Sequence, residues 1–263
     1  MSEGAVSQGR TSGVEAAIQR AAGATGVAFD FLMRTARRES SLNPQAKART
    51  SSAAGLFQFI DQTWLSTLKQ HGASHGYGRY SELIQRGSDG RLRVAPGARE
   101  TVMNLRFDPQ AASLMAAELA NDHAAYLRGR IGREPNSGEL YAAHFLGPAG
   151  SARLIQAADR SPGAVAADLF PDAARANRSI FYRGGQPASV SQVLANLSRN
   201  IGGGTPAGGE RSAQPDGGFL YASRLQDLAS DRSLLALALG DDATTGSAFA
   251  TQMLAAFGPE RET

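Results

Sequence analysis

The sequence predicts an all-α fold, and three observations predict it. Alanine is abundant and aromatic residues make up only 7% of the 263 positions, a balance that favours helices over packed sheets. Stretches rich in Val, Ile and Thr that would alternate as strands are hard to find. Apolar residues recur instead at helical spacing, between residues that start and stop helices.

A Gly/Ser-rich start reads as a flexible N terminus over 1–12, followed by a short helix over 14–22. A second helix over 27–39 runs into Asn43-Pro44, which ends it and leaves Glu39 on its last turn. After the loop ending in Gly55-Leu56-Phe57-Gln58-Phe59, Asp61 reads as the cap of a helix through Gln70. The Gly-containing stretch 71–106 predicts short helices and loops. Asp108-Pro109, a cap followed by a first-turn proline, opens a helix to Arg128 with Leu114, Met115, Leu119, Tyr126 and Leu127 as its stripe. Asn136 and Glu139 have capping-box spacing and open a helix through Leu146. Gly147-Pro148 stops that helix and restarts it to Ala158 as a helical hairpin. Shorter helices are predicted at 164–169 and 189–199. One helical domain therefore covers 13–200, a Gly-rich linker 201–218, and a helical tail 219–263 whose Leu225, Leu228, Leu234 and Phe249 regain helical spacing.

The formal charge of +3 and pI near 9.5 suit an anionic polymer without choosing one. Cysteine is absent, which excludes disulfides, thiolate metal sites and thiol nucleophiles. The first residues are polar and lack the apolar run of a Sec signal, and no stretch approaches the roughly 18 apolar residues of a membrane span. No integral membrane segment is expected, and export, if it occurs, is expected to follow another route.

On the second helix, Glu39 shares a face with Ala28, Phe31, Leu32, Thr35 and Ala36, whereas Asp30, Arg34, Arg37 and Arg38 form a solvated face. An acid on an apolar face has its charged form disfavoured, which suits a general acid working near neutral pH. The alternative is a partly buried Glu that caps a loop.

Glu39-Ser40-Ser41-Leu42-Asn43-Pro44 is followed by Ser51-Ser52-Ala53-Ala54-Gly55-Leu56-Phe57-Gln58-Phe59 and then Thr63-Trp64. This ordered string resembles the Glu-Ser and Gly-Leu-(Met/Phe)-Gln motifs of the lysozyme-like lytic transglycosylases, the SLT family, with the resemblance running over about 27–156. It implies a goose-lysozyme-like catalytic domain within 13–200 that acts on peptidoglycan. In that family the Glu, here Glu39, protonates the oxygen between MurNAc and GlcNAc while the substrate acetamido group steadies the cation. The resulting carboxylate takes the proton of the MurNAc C6 hydroxyl, and a 1,6-anhydro product forms. A conventional glycosidase needs a second carboxylate ~5 to 10 Å away; Asp61, the next along the chain, reads instead as a cap.

By the same resemblance Gly55, Phe57 and Gln58 shape the glycan cleft, Gly55 by letting backbone come close to a sugar and Gln58 by hydrogen bonding. Thr50, Ser51 or Ser52 supplies a hydroxyl, with Ser51 taken into the site. Core packing is the other use for Phe57 and Phe59. Tyr141-Ala142-Ala143-His144-Phe145-Leu146-Gly147-Pro148 lies where relatives carry Ala-Tyr-Asn-Ala-Gly-Pro, so His144 falls on the usual Tyr. Tyr141 and His144 share a helical face and can offer polar tips to Glu39 or to sugar; a satisfied core histidine is the alternative.

His71 and His75 have a metal-pair spacing but no evident third ligand, so no metal is expected. Gly184-Gly185 and Gly202-Gly203-Gly204 lack the context of a phosphate loop, and no cofactor is expected. No basic run interleaved with aromatics points to nucleic acid. A hydrolytic muramidase and a catalytically silent peptidoglycan-binding or assembly module remain the alternatives. The tail is a candidate surface for a protein partner, such as a flagellar or secretion assembly, and the resemblance implies the periplasm or cell envelope.

Overall fold

A computed structural model describes residues 3–49 and 51–199, with side chains from residue 12 onward. The linker 201–218 and the helical tail 219–263 lie outside the described residues.

The described chain is predominantly helical. In order it forms α1 (Glu3–Thr25), α2 (Phe29–Ser40), α3 (Asp61–His71), a 3-10 turn (Gly72–His75), α4 (Gly78–Ser81) and the strands β1 (Ile84–Arg86) and β2 (Leu92–Val94). Then come α5 (Arg99–Asn104), a second 3-10 turn (Leu105–Phe107), α6 (Pro109–Ile131) and α7 (Ser137–Arg160). The described part closes with α8 (Ala166–Leu169), α9 (Pro171–Ala176), α10 (Arg178–Phe181), β3 (Tyr182–Arg183), β4 (Gln186–Pro187) and α11 (Val190–Arg199). The expected all-α, lysozyme-like character stands. Helix α1 reaches back to Glu3 across the stretch expected to be a flexible start.

Helix α6 is the axis. It packs against α1 on one side and α7 on another, and α11 docks on α7. Its start is the expected one: Asp108 accepts from the Ala111 N–H at 2.7 Å and Pro109 occupies the first turn. Helix α7 opens with a full capping box, in which Asn136 Oδ1 accepts from Gly138 and Glu139 while the Glu139 carboxylate accepts from the Asn136 N–H. At Gly147 the backbone leaves helical geometry (φ 74°, ψ 161°), where Pro148 cannot donate a helical hydrogen bond. Ser151 Oγ donates to the Glu139 carbonyl at 2.9 Å, whereas twelve residues of straight helix would span about 18 Å. The chain doubles back as the expected helical hairpin. Gly138 lets α11 approach, because a Cβ there would stand 2.1 Å from Ser198 Oγ.

Two further expectations are corrected. Asp61 is the first residue of α3 rather than its cap; Ile60 holds the cap position and makes no side-chain cap bond. The Asp61 N–H is taken by Ser52 Oγ at 3.2 Å, and the Asp61 carboxylate pairs with Arg99 at 2.6 Å and Arg106 at 3.0 Å. Strands also form where none was legible. β1 and β2 pair antiparallel, and Gln62 clips them to α3 through Nε2 to the Leu92 carbonyl and Oε1 from the Leu92 N–H, both 3.0 Å. β3 and β4 pair across Gly184-Gly185, whose positive φ values of 55° and 82° suit a tight hairpin turn. The four-residue spacing of His71 and His75 faces α6: His71 Nε2 lies 2.9 Å from Asp122 and His75 Nε2 2.5 Å from Glu118.

Glu139 makes the start of α7 sensitive to acid. Burial alone would push its carboxyl up, but the Arg133 guanidinium and the Asn136 N–H outweigh burial and hold it below the ordinary carboxylate range. A carboxylate depressed in the folded state adds stability above its unfolded pKa, and that stability is lost as pH falls through the folded value. The Glu139→Gln variant is therefore expected to have a lower urea midpoint at pH 7 and a shallower loss of stability between about pH 5 and pH 3. Parallel pH curves for the two proteins would contradict this.

Candidate active site

The site begins at the end of α2. Phe31, Leu32, Thr35 and Ala36 bury the inner face as the spacing predicts, and Glu39 continues that face with its side chain only 7% exposed. The helix stops because Ser41 and Leu42 adopt left-handed φ values of 53° and 64°, with their N–H groups turned back to Arg37 and Ala36. Ser40 Oγ is shared between the Ala36 carbonyl at 3.1 Å and the Leu56 carbonyl at 2.8 Å. The serine of the Glu-Ser pair thus ties the turn carrying Glu39 to the Gly-Leu-Phe-Gln loop.

That loop is shaped by a close backbone approach. Gly55 has φ +80°, and a Cβ on it would lie 1.9 Å from the Arg106 carbonyl oxygen. The partner that requires glycine there is this carbonyl. Arg106 then holds the loop with its guanidinium, donating from one nitrogen to the Ser52 and Phe59 carbonyls at 2.8 and 3.0 Å. Ser51 Oγ accepts from the Ala53 N–H at 3.2 Å and so braces the loop, while Thr50 lies outside the described residues. Phe57 is buried at 2% exposure, and Phe59 meets Trp64 edge-on with ring centroids 5.3 Å apart. Gln58, at φ 49°, donates from Nε2 to the Gly55 carbonyl at 2.9 Å and to the Ala46 carbonyl at 3.3 Å. Its Oε1 has no hydrogen-bond partner among the described residues.

Helix α7 completes the site. His144 Nε2 stands 3.3 Å from Glu39 Oε1, and the His144 ring stacks on Tyr141 with centroids 6.0 Å apart. Tyr141 is 3% exposed; burial and then the Glu39 charge push its phenol above the ordinary range, against the nearby Arg38 charge. The Arg38 guanidinium lies 5.1 Å over the Tyr141 ring. Arg38 is exposed, as its helical face predicts, and in addition covers the Tyr141 ring. Beside His144, Phe31, Leu32 and Thr35 of α2, Phe57 and Phe59 of the loop, and Leu119 and His123 of α6 line a largely apolar recess.

Glu39, Tyr141 and His144 are thus brought together, and Ser51, Gly55, Phe57 and Gln58 form the adjoining loop. Sequence reasoning missed Arg38, Arg106 and His123. No local spacing flags these three residues, because each meets its partner across a tertiary contact.

Residues 16–82 match the family model for the transglycosylase SLT domain. The matched segment carries Glu39 and the whole Gly55–Phe59 loop, so the motifs that suggested the SLT family lie inside it. Tyr141 and His144 lie beyond it, and reach the SLT-type segment only through the fold.

The Gly55→Ala variant is expected to lose about 3 kcal/mol or more, from the positive φ and the overlap with the Arg106 carbonyl together. Thermal and urea unfolding measure it, and a stability within roughly 0.5 kcal/mol of the parent, the size of an ordinary surface change, would contradict the role given to Gly55.

Proposed function

We propose that the chain is a peptidoglycan lytic transglycosylase of the cell envelope, which cleaves the MurNAc-GlcNAc β-1,4 bond and forms 1,6-anhydroMurNAc. The observation that carries this reading is the setting of Glu39: nearly buried, at the end of an apolar helix face, inside the segment that matches the transglycosylase SLT domain. In this reading the Glu39 carboxyl gives a proton to the bridging oxygen and, once ionised, removes the C6 hydroxyl proton. Asp61 is unsuited to act as a second catalytic carboxylate, because Arg99 and Arg106 occupy its two oxygens. A route in which the substrate's own C6 oxygen closes on C1 needs no such second group. Gln58 Oε1 and the Tyr141–His144 face are the polar groups proposed to meet the glycan.

The test is to incubate the parent and Glu39→Gln with peptidoglycan sacculi and weigh the soluble products. The parent is expected to release anhydro-muropeptides, and the variant to fold normally with release lowered about 100-fold or more. Equal release by both would remove Glu39 from the chemistry, and reducing-end products, heavier by one water, would make the protein a hydrolytic muramidase.

A further inference from the structure

The groups that face His144 come from three helices. Glu39 stands on α2, His123 on α6 and Tyr141 on α7, and Arg38 of α2 lies over the Tyr141 ring. Burial, and secondarily the nearness of His144, hold His123 at about 3, so it stays neutral at working pH. The Tyr141 phenol is pushed above its ordinary range and keeps its proton, while an Arg keeps its charge throughout. Glu39 Oε1 and His144 Nε2 lie 3.3 Å apart, close enough for a proton to pass between them.

We propose that His144 is a positioning residue that shares the catalytic proton of Glu39, the active state of the pair carrying one proton between Glu39 Oε1 and His144 Nε2. This rests on the reading of Glu39 as acid and base. With the proton on Oε1, it passes to the glycosidic oxygen as the C1–O bond breaks. The carboxylate then takes the C6 hydroxyl proton as that oxygen bonds to C1, and the pair ends with the one proton it began with. A second proton puts a cation beside Glu39 and weakens its carboxylate as a base; loss of the shared proton leaves no acid. Activity therefore falls on both sides of an optimum.

Initial rates of muropeptide release are measured against pH for the parent and His144→Gln. The alkaline limb is expected to move toward acid by about one pH unit or more in the variant; a rate lowered by the same factor at every pH would overturn the proposal. Independently, the His144 imidazole nitrogens are followed by NMR in the parent and in Glu39→Gln. Two titration steps in the parent and one in the variant support the pair, and one step in both overturns it. The NMR arm needs no turnover, so a protein inactive on sacculi that still shows two steps would sink the transglycosylase reading alone.

Discussion

Arg106 is 8% exposed, and its guanidinium is surrounded by oxygens: the Met103, Ser52 and Phe59 carbonyls and the Asp61 carboxylate. Burial lowers its pKa and Asp61 works against that fall. Losing the guanidinium would leave the Ser52 and Phe59 carbonyls without their Arg106 donor, while Asp61 would keep Arg99. The same residue presents its carbonyl to Gly55. Arg106 therefore fixes both ends of the loop, and Ser40 passes that constraint to the last turn of α2 through the Leu56 carbonyl. The position of Glu39 depends on this chain of contacts.

Local signals made most helices legible. The Asp108-Pro109 start, the Asn136–Glu139 capping box and the Gly147-Pro148 break all act within a few residues, where backbone preference decides. Asp61 was misread for the opposite reason. Aspartate is favoured at caps in general, but its partners Arg99 and Arg106 lie far along the chain. The β1–β2 hairpin escaped notice because strands of three residues are too short to display an alternating pattern, and part of its anchorage is the side chain of Gln62.

The candidate site divides in the same way. Glu39 was legible from the helical face and the motif that follows it. Gly55 was legible as a required glycine, though its close partner is backbone of the same chain. Arg38 is solvated as the helical wheel indicates, but its contact with Tyr141 was not legible because only the fold brings that ring beneath it. His123 sits in the middle of α6 with nothing local to distinguish it, and becomes visible only where α2, α6 and α7 meet.

The most direct measurement is a crystal structure of the Glu39→Gln variant with a peptidoglycan tetrasaccharide. The account predicts a MurNAc-GlcNAc glycosidic oxygen within hydrogen-bonding distance of the side chain at position 39, with the sugar flanked by Gln58 and His144. A glycan bound elsewhere, or lying across this face with its glycosidic oxygen out of reach of position 39, would contradict it.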